Sequence, residues 1–513
     1  MRRRLAALAL GAVAITGCTP TATDALPDTT PTPTASQEQV TPPRRSDPAA
    51  CPTGAGGGGG ASRKVSYEPV SARLAPRAAP DKDRPVVRLC FDVSADRRLI
   101  RGMETVTFTP DLRTCEVVFR AWPNKPETAR YGNRLEVTAV ALDGSMVTPK
   151  VESAGAPPGV PGTLIRVPVE DCLEPGEQVT VALAFTVTLG ALTPERVGYS
   201  PDDLVAWAGT AYPLLAWERG RGWATEPAVD LFGETVTSEV FRLELLEIVA
   251  PQGDAVLGTG EALGTEPASR PGSVVHRFRA DAVRDVAFSV GRMQVTEREV
   301  DGVRVHVGAP AGSVATPGEW ADATMTAVKE LSASFGPFPY EDLWVTIVPG
   351  FTSGIEFPGA IQFGDIHPAR YPSLAPHEVA HMWFYGLVGN NQARDPWLDE
   401  AFAEYAEVLV NDTVDELLQF PTPSAVRNRV GESMEWYAAL RQPDLYASGV
   451  YRQGGQMLHR ARREVGAARF DQLLRDYIDA NAHRVVTDED VVRAFEDEPR
   501  VVELLREYGA IRP

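Results

Sequence analysis

Two histidines stand four residues apart in the run His377-Glu378-Val379-Ala380-His381, and a carboxylate, Glu400, follows in the run Trp397-Leu398-Asp399-Glu400. On a helix, side chains at i and i+4 share one face a turn apart, so both imidazoles can meet one ion. Eighteen residues lie between His381 and Glu400. That is enough for one helix to end, a loop to turn, and a second helix to bring the carboxylate alongside. Two imidazoles and one carboxylate make three protein ligands and leave tetrahedral zinc an open fourth position, the mark of a catalytic rather than a structural site. Zinc in such a set lowers the pKa of a bound water from about 15.7 towards roughly 7. Glu378 is not needed by the metal, so it can take the water proton and pass it to a leaving amine, as base and then acid. The pattern predicts metal-assisted hydrolysis with one Zn2+ per chain.

The elements that must position these residues are written around them. Ser373 is placed as an N-cap, and Pro376 falls in the first turn, where a missing N–H costs little. Val379, Ala380, Trp383, Phe384 and Leu387 supply an apolar surface for burying the first helix. Gly386, Gly389, Asn390 and Asn391 are stop signals, and Asp395-Pro396 restarts a helix carrying Glu400. Glu404 and Glu407, one and two turns further on, are placed to orient a histidine ligand. His276, His306, His367, His459 and His483 have no ligand spacing and are read as structural or surface residues.

HEVAHMWFYGLVGN followed by WLDEAFAEY resembles the gluzincin metallo-aminopeptidases of the aminopeptidase N and leukotriene-A hydrolase type. Two further phrases agree in order. Upstream, Ser353-Gly354-Ile355-Glu356-Phe357-Pro358-Gly359 is similar to the family's exopeptidase motif. Downstream, the stretch from Tyr446 to Gly455 is similar to the segment bearing its catalytic tyrosine, which by position is Tyr451. The resemblance implies ligands His377, His381 and Glu400, a general base Glu378, and a phenol on Tyr451 that stabilises an oxyanion, with Tyr446 in support. It also implies that Glu356 pairs with the free α-ammonium of a peptide substrate, while Gly354 offers backbone groups. The expected activity is removal of N-terminal residues from peptides. A zinc endopeptidase, another zinc hydrolase on the same scaffold, and a non-catalytic peptide-binding lipoprotein are the competing readings. Several positions depart from the family pattern: Met382 after the HExxH motif, Asp399 and Ala401 around the third ligand, and Phe357 in the exopeptidase phrase. No counterpart of the family's helper glutamine is identified in the β region. The chain also ends at Pro513, without the family's large C-terminal helical domain, so a more open cleft is expected.

The rest of the chain sets the context. Residues 1–18 read as a lipoprotein signal peptide: three arginines, a short apolar run, and Ile15-Thr16-Gly17-Cys18, which resembles a bacterial lipobox with Cys18 as the lipidated residue. Residues 19–63 are rich in Thr, Pro and Gly and read as a disordered tether. The expectation is a membrane-anchored enzyme facing outward from the bacterial cytoplasmic membrane. Residues 64–299 alternate with period two, as in Val179 to Leu189 and Val87 to Val93, with turn signals at Asp143-Gly144 and Pro175-Gly176. Residues 300–513 open with a helix from Trp320 to Phe335, stopped by Gly336-Pro337, and a strand from Leu343 to Val348. The fold class is therefore α+β multidomain. An N-terminal antiparallel β-sandwich or saddle precedes a thermolysin-like zinc peptidase domain with a helical C-terminal part. With Cys18 lipidated, Cys51, Cys90, Cys115 and Cys172 allow three disulfide connectivities. The strand-bordering positions of Cys115 and Cys172 favour that pair, which leaves Cys51 for Cys90. A net charge of −19 argues against a nucleic-acid partner, since no basic stripe is present. Oligomeric state is left open.

Overall fold

The computed structural model describes Cys51 and residues 77–232 and 238–511. The lipidation site Cys18, the signal segment 1–18 and all of the tether 19–63 except Cys51 lie outside the described residues.

The period-two alternation forms strands with one face in the core. In Val179–Thr188, every odd-numbered residue is buried, and the strand pairs antiparallel with Leu99–Phe108 on one side and Arg134–Leu142 on the other. Opposite Phe185 stands Gly102, where a Cβ would lie 2.1 Å from the phenyl ring. The missing side chain is what lets that ring lie across the neighbouring strand. At Asp143-Gly144 both φ angles are positive, 46° and 82°, the type I′ geometry that suits a two-residue hairpin. It joins Arg134–Leu142 to Ser145–Val147.

These strands belong to an eight-stranded sheet backed by two four-stranded sheets. The large sheet is mixed, which corrects the antiparallel expectation: Val86–Val93 runs parallel to Phe241–Pro251 and antiparallel to Leu99–Phe108. A parallel neighbour requires the chain to return from a long excursion, here one that builds one of the smaller sheets and two strands of the other. Disulfides join Cys115 to Cys172 and Cys51 to Cys90.

In the second half a five-stranded sheet runs in the order Met293–Val300, Val303–Pro310, Asp342–Val348, Ala360–Gly364, Gly354–Phe357. Met293–Val300 pairs with Val303–Pro310, so a boundary at 299/300 cuts a hairpin, and the strand belongs with the second half. Helix Pro317–Phe335 begins three residues before the expected start because Thr316 and Glu319 form a capping box, satisfying two otherwise orphaned N–H groups. Gly336, at φ 89°, ends it. Trp320 on this helix stacks on Phe363 of the sheet at 4.3 Å. Helices then dominate from Leu374 to Glu507. Among the described residues no helix is long and apolar enough to cross a membrane.

Candidate active site

Three elements meet at the site: the histidine helix Leu374–Ala380, the carboxylate helix Trp397–Val410, and the edge strand Gly354–Phe357. The histidine helix is shorter than its apolar pattern suggested. It stops at Ala380, and residues 381–388 continue as wide turns in which Gly386, Leu387 and Val388 donate to the carbonyls of His381, Met382 and Trp383. Tyr385 takes φ 103° within this stretch. Ser373 occupies the N-cap position, but its side chain makes no capping hydrogen bond. The apolar residues still bury as expected, with Trp383 and Phe384 fully enclosed.

The two imidazoles converge. His377 Nε2 lies 3.3 Å and His381 Nε2 3.5 Å from the same oxygen, Oε2 of Glu400. Donors about 2.0–2.1 Å from a tetrahedral zinc are about 3.3–3.4 Å apart along each edge, so the spacing fits that ion. The opposite ring nitrogens are held from behind. His381 Nδ1–H donates to the carbonyl of Phe384 at 3.2 Å, and His377 Nδ1 faces Glu407 Oε2 at 3.1 Å. With a metal bound, these partners would keep each Nδ1 protonated and leave both Nε2 lone pairs aimed at the common point. Of the two glutamates expected to orient a histidine, Glu407 makes this bond, and Glu404 lies beside it within the same cluster.

Charge points the same way. Burial opposes the charge on His381, but Glu356 and Glu400 outweigh it and push its pKa up to about 10. Burial likewise opposes ionisation of Glu400, yet hydrogen bonds from His377 and His381 hold it at about 2. Glu378 is raised to about 8, first by burial and, against the two histidines, by Glu356 and Glu400. Four buried acids, Glu356, Glu378, Asp399 and Glu400, thus crowd two histidines. Such a set holds a cation, and imidazole with carboxylate suits zinc. Glu407→Gln is expected to weaken zinc affinity about 10–100-fold, measurable by competition with a chelator; unchanged affinity would remove Glu407 from the metal's support.

The remaining expected residues fall in the same place. Oxygens of Glu356 and Glu378 and a ring nitrogen of His381 lie within 4.8 Å of one another. Gly354 has its own reason: a Cβ there would lie 2.3 Å from Glu378 Oε1 and 2.4 Å from Cγ. The Glu378 side chain occupies the space a larger residue would need. Tyr451 stacks on the His377 ring, with centroids 5.8 Å apart, and burial, helped by Glu400 beside it, pushes the phenol's pKa up. It sits in a π-helical turn, Ala447–Arg452. Five residues along an α-helix is about 140° around the axis; the wider π turn brings Tyr446 and Tyr451 onto neighbouring faces, with rings 5.5 Å apart.

Two positions that depart from the family pattern find local partners. Ala401 packs against Gly454, where a Cβ would come within 2.3 Å of its methyl. Phe357 is fully buried against Gly209 of the β half.

The sequence reading did not single out the loop before the carboxylate helix. Asn391 donates to Glu218 at 2.7 Å, and Arg394 binds both Glu218 and Glu226. Those glutamates lie in the β half, so no local spacing signalled the contact. Gln392, between Asn391 and Arg394, donates to Asp399 at 2.8 Å and to Glu356 at 3.3 Å.

Fold and site together set a converging His–His–Glu group, suited to one zinc ion, on an α+β scaffold. Residues 369–508 match the peptidase family M1 domain. Over 240 residues it is 26% identical to Aminopeptidase M1 of Arabidopsis thaliana and 27% identical to Aminopeptidase M1-A of Oryza sativa subsp. japonica, covering 41% of this chain and 27% of each relative. The chain thus aligns with about a quarter of their length. An M1 zinc metallopeptidase from Deinococcus radiodurans superposes with a TM-score of 0.59 at 19% identity, over 84% of this chain and 94% of that one. A variant of that protein has been solved with a Tyr-Ser-Ala substrate at TM-score 0.58 and 19% identity, over 84% of this chain and 95% of that one.

Proposed function

We propose that this protein is a zinc-dependent aminopeptidase that removes N-terminal residues from peptides. The observation that carries this reading is the placement of Glu356. It is a buried carboxylate on the edge strand, held against Glu378 and His381 beside the converged ligands. His377, His381 and Glu400 would hold the zinc. When bound, zinc supplies Lewis acidity, polarising a carbonyl and making water a competent nucleophile near neutral pH.

The chain's own residues supply the rest. Glu378 accepts the proton of the attacking water on a carboxylate oxygen and returns it to the leaving amine. The Tyr451 hydroxyl, next to Glu400, donates a hydrogen bond to the substrate oxygen as negative charge develops there. Glu356 pairs with the α-ammonium of the substrate and penalises blocked or internal peptides, whose approach leaves the buried carboxylate without a counter-charge. Two disulfides, Cys115–Cys172 within the β half and Cys51–Cys90 joining the preceding segment to it, support an oxidising location outside the cytoplasm, consistent with export and with anchoring through Cys18.

The test compares aminoacyl amide reporters with their N-acetylated forms. The native enzyme is expected to turn over free amines well and acetylated ones poorly, and Glu356→Ala to raise KM for free amines at least tenfold, as loss of a charge-assisted bond of about 1.5–3 kcal/mol implies. Equal turnover of acetylated reporters by the native enzyme would favour the endopeptidase reading and end the aminopeptidase one.

A further inference from the structure

Glu356 bears a charge that must meet a substrate ammonium, yet it is pulled on unequally in the site, attracted by His381 and Arg196 and repelled by Glu400. A glutamate side chain has three rotatable bonds, so something must fix it. The amide of Gln392 is the donor placed to do so. Its Nε2 lies 3.3 Å from Glu356 Oε1 and 2.8 Å from Asp399 Oδ2. Both neighbours are carboxylate acceptors, so the NH2 end must face them and the amide orientation is settled by its surroundings. Gln392, Asp399 and Glu356 are all buried, at 1%, 0% and 4% exposure, where a misplaced polar group is costly.

The chain of bonds ends on the metal-ligand helix. The other oxygen of Asp399, Oδ1, accepts the backbone N–H of Glu400 at 2.8 Å. Turning Asp399 away from Gln392 would give up this bond and leave the Glu400 N–H only its longer bond to the Pro396 carbonyl, 3.2 Å. From the far side, Asn391 and Arg394 pin the Gln392 loop to Glu218. Glu356 is thereby held at a fixed offset from the zinc ligand Glu400. An aminopeptidase needs that offset, because one aminoacyl residue must span from the ammonium site to the scissile carbonyl. Gln392 is also neutral. A lysine or arginine there would pair with Glu356 and cancel the charge meant for the substrate, whereas an amide orients it without neutralising it.

We infer that Gln392 is a positioning residue for Glu356, setting the distance between the ammonium site and the metal ligands and with it the preference for free N-termini. This rests on the reading of Glu356 given above. Asp399, which departs from the family pattern, has its role here as the acceptor that anchors Gln392.

The experiment is a double-mutant cycle of Gln392→Leu and Glu356→Ala, reading KM, kcat and zinc content with free and N-acetylated aminoacyl amides. Gln392→Met serves as a second, volume-conserving variant should the leucine variant fold poorly. In the presence of Glu356, Gln392→Leu is expected to raise KM for free amines about tenfold, the cost of a lost charge-assisted bond. That change should exceed any in kcat, with zinc retained and the free-to-acetylated preference reduced. In the Glu356→Ala background the same substitution should change KM less than twofold. Equal losses in both backgrounds, or an unchanged KM and preference with Glu356 present, would overturn the inference. If Glu356→Ala alone leaves the preference intact, the ammonium-site reading fails first and this inference falls with it.

Discussion

Glu378→Gln is expected to lower kcat by about 10²–10⁴-fold, the usual worth of a positioned general base, while zinc stays bound. The two effects separate because Glu378 is not among the three converging donors: Glu400 Oε2 meets both Nε2 atoms, and Glu378 stands to one side with Glu356 and His381. Glutamine keeps the volume and the packing over Gly354 but cannot take up a proton. Removing an acid from a cluster with an excess of carboxylates also relieves repulsion, so the variant is expected to be at least as stable as the native protein. Zinc content by elemental analysis, together with kcat on a free-amine reporter, checks both halves. Activity within tenfold of native would take the proton-transfer role away from Glu378.

Gly354→Ala is expected to come close to that loss without touching a titratable group. The added methyl would lie 2.3 Å from Glu378 Oε1 and 2.4 Å from both Cδ and Cγ. Swinging the end of the side chain is not enough to relieve this, since Cγ is crowded as well. The strand cannot retreat easily, because it is paired in register with Ala360–Gly364 and the carbonyl of the adjoining Ser353 accepts the Gly364 N–H at 2.8 Å. The glutamate must therefore leave its position, and kcat should fall about 10²-fold or more. Zinc content should be unchanged, as His377, His381 and Glu400 lie on other elements. In the Glu378→Gln background the same substitution should cost little further. A large additional loss there would mean that Gly354 acts on the substrate directly, as the family resemblance implies, rather than through Glu378.

Residues close in sequence were legible from spacing alone, and Glu356 and Tyr451 only through the family resemblance; other distant pairings left no signal. The i, i+4 histidines and the eighteen-residue step to Glu400 gave the convergence, because helix geometry alone fixes the first and a single turn the second. The alternation in Val179–Thr188 and the Asp143-Gly144 hairpin were readable for the same reason: one strand and one turn carry the whole signal. The parallel pairing of Val86–Val93 with Phe241–Pro251 left no local mark, since either strand would read the same in an antiparallel sheet. The early end of the histidine helix was hidden because Trp383, Phe384 and Leu387 are as well buried in wide turns as on a helix. The pairing of Met293–Val300 with Val303–Pro310 is likewise silent in the sequence, because a strand does not announce which sheet it will join. Gln392 was invisible for a different reason. Flanked by helix-stopping residues, it reads as loop, and its acceptors on Asp399 and Glu356 become neighbours only when the edge strand docks beside the carboxylate helix.

The central claim is that His377, His381 and Glu400 hold one zinc ion. Anomalous diffraction at the zinc edge, on crystals grown with stoichiometric zinc, tests it most directly. The account predicts a single strong peak per chain, about 2.0–2.2 Å from Nε2 of both histidines and from a carboxylate oxygen of Glu400. A peak elsewhere, or ring nitrogens still bonded only to Glu400 with no metal between them, would contradict it.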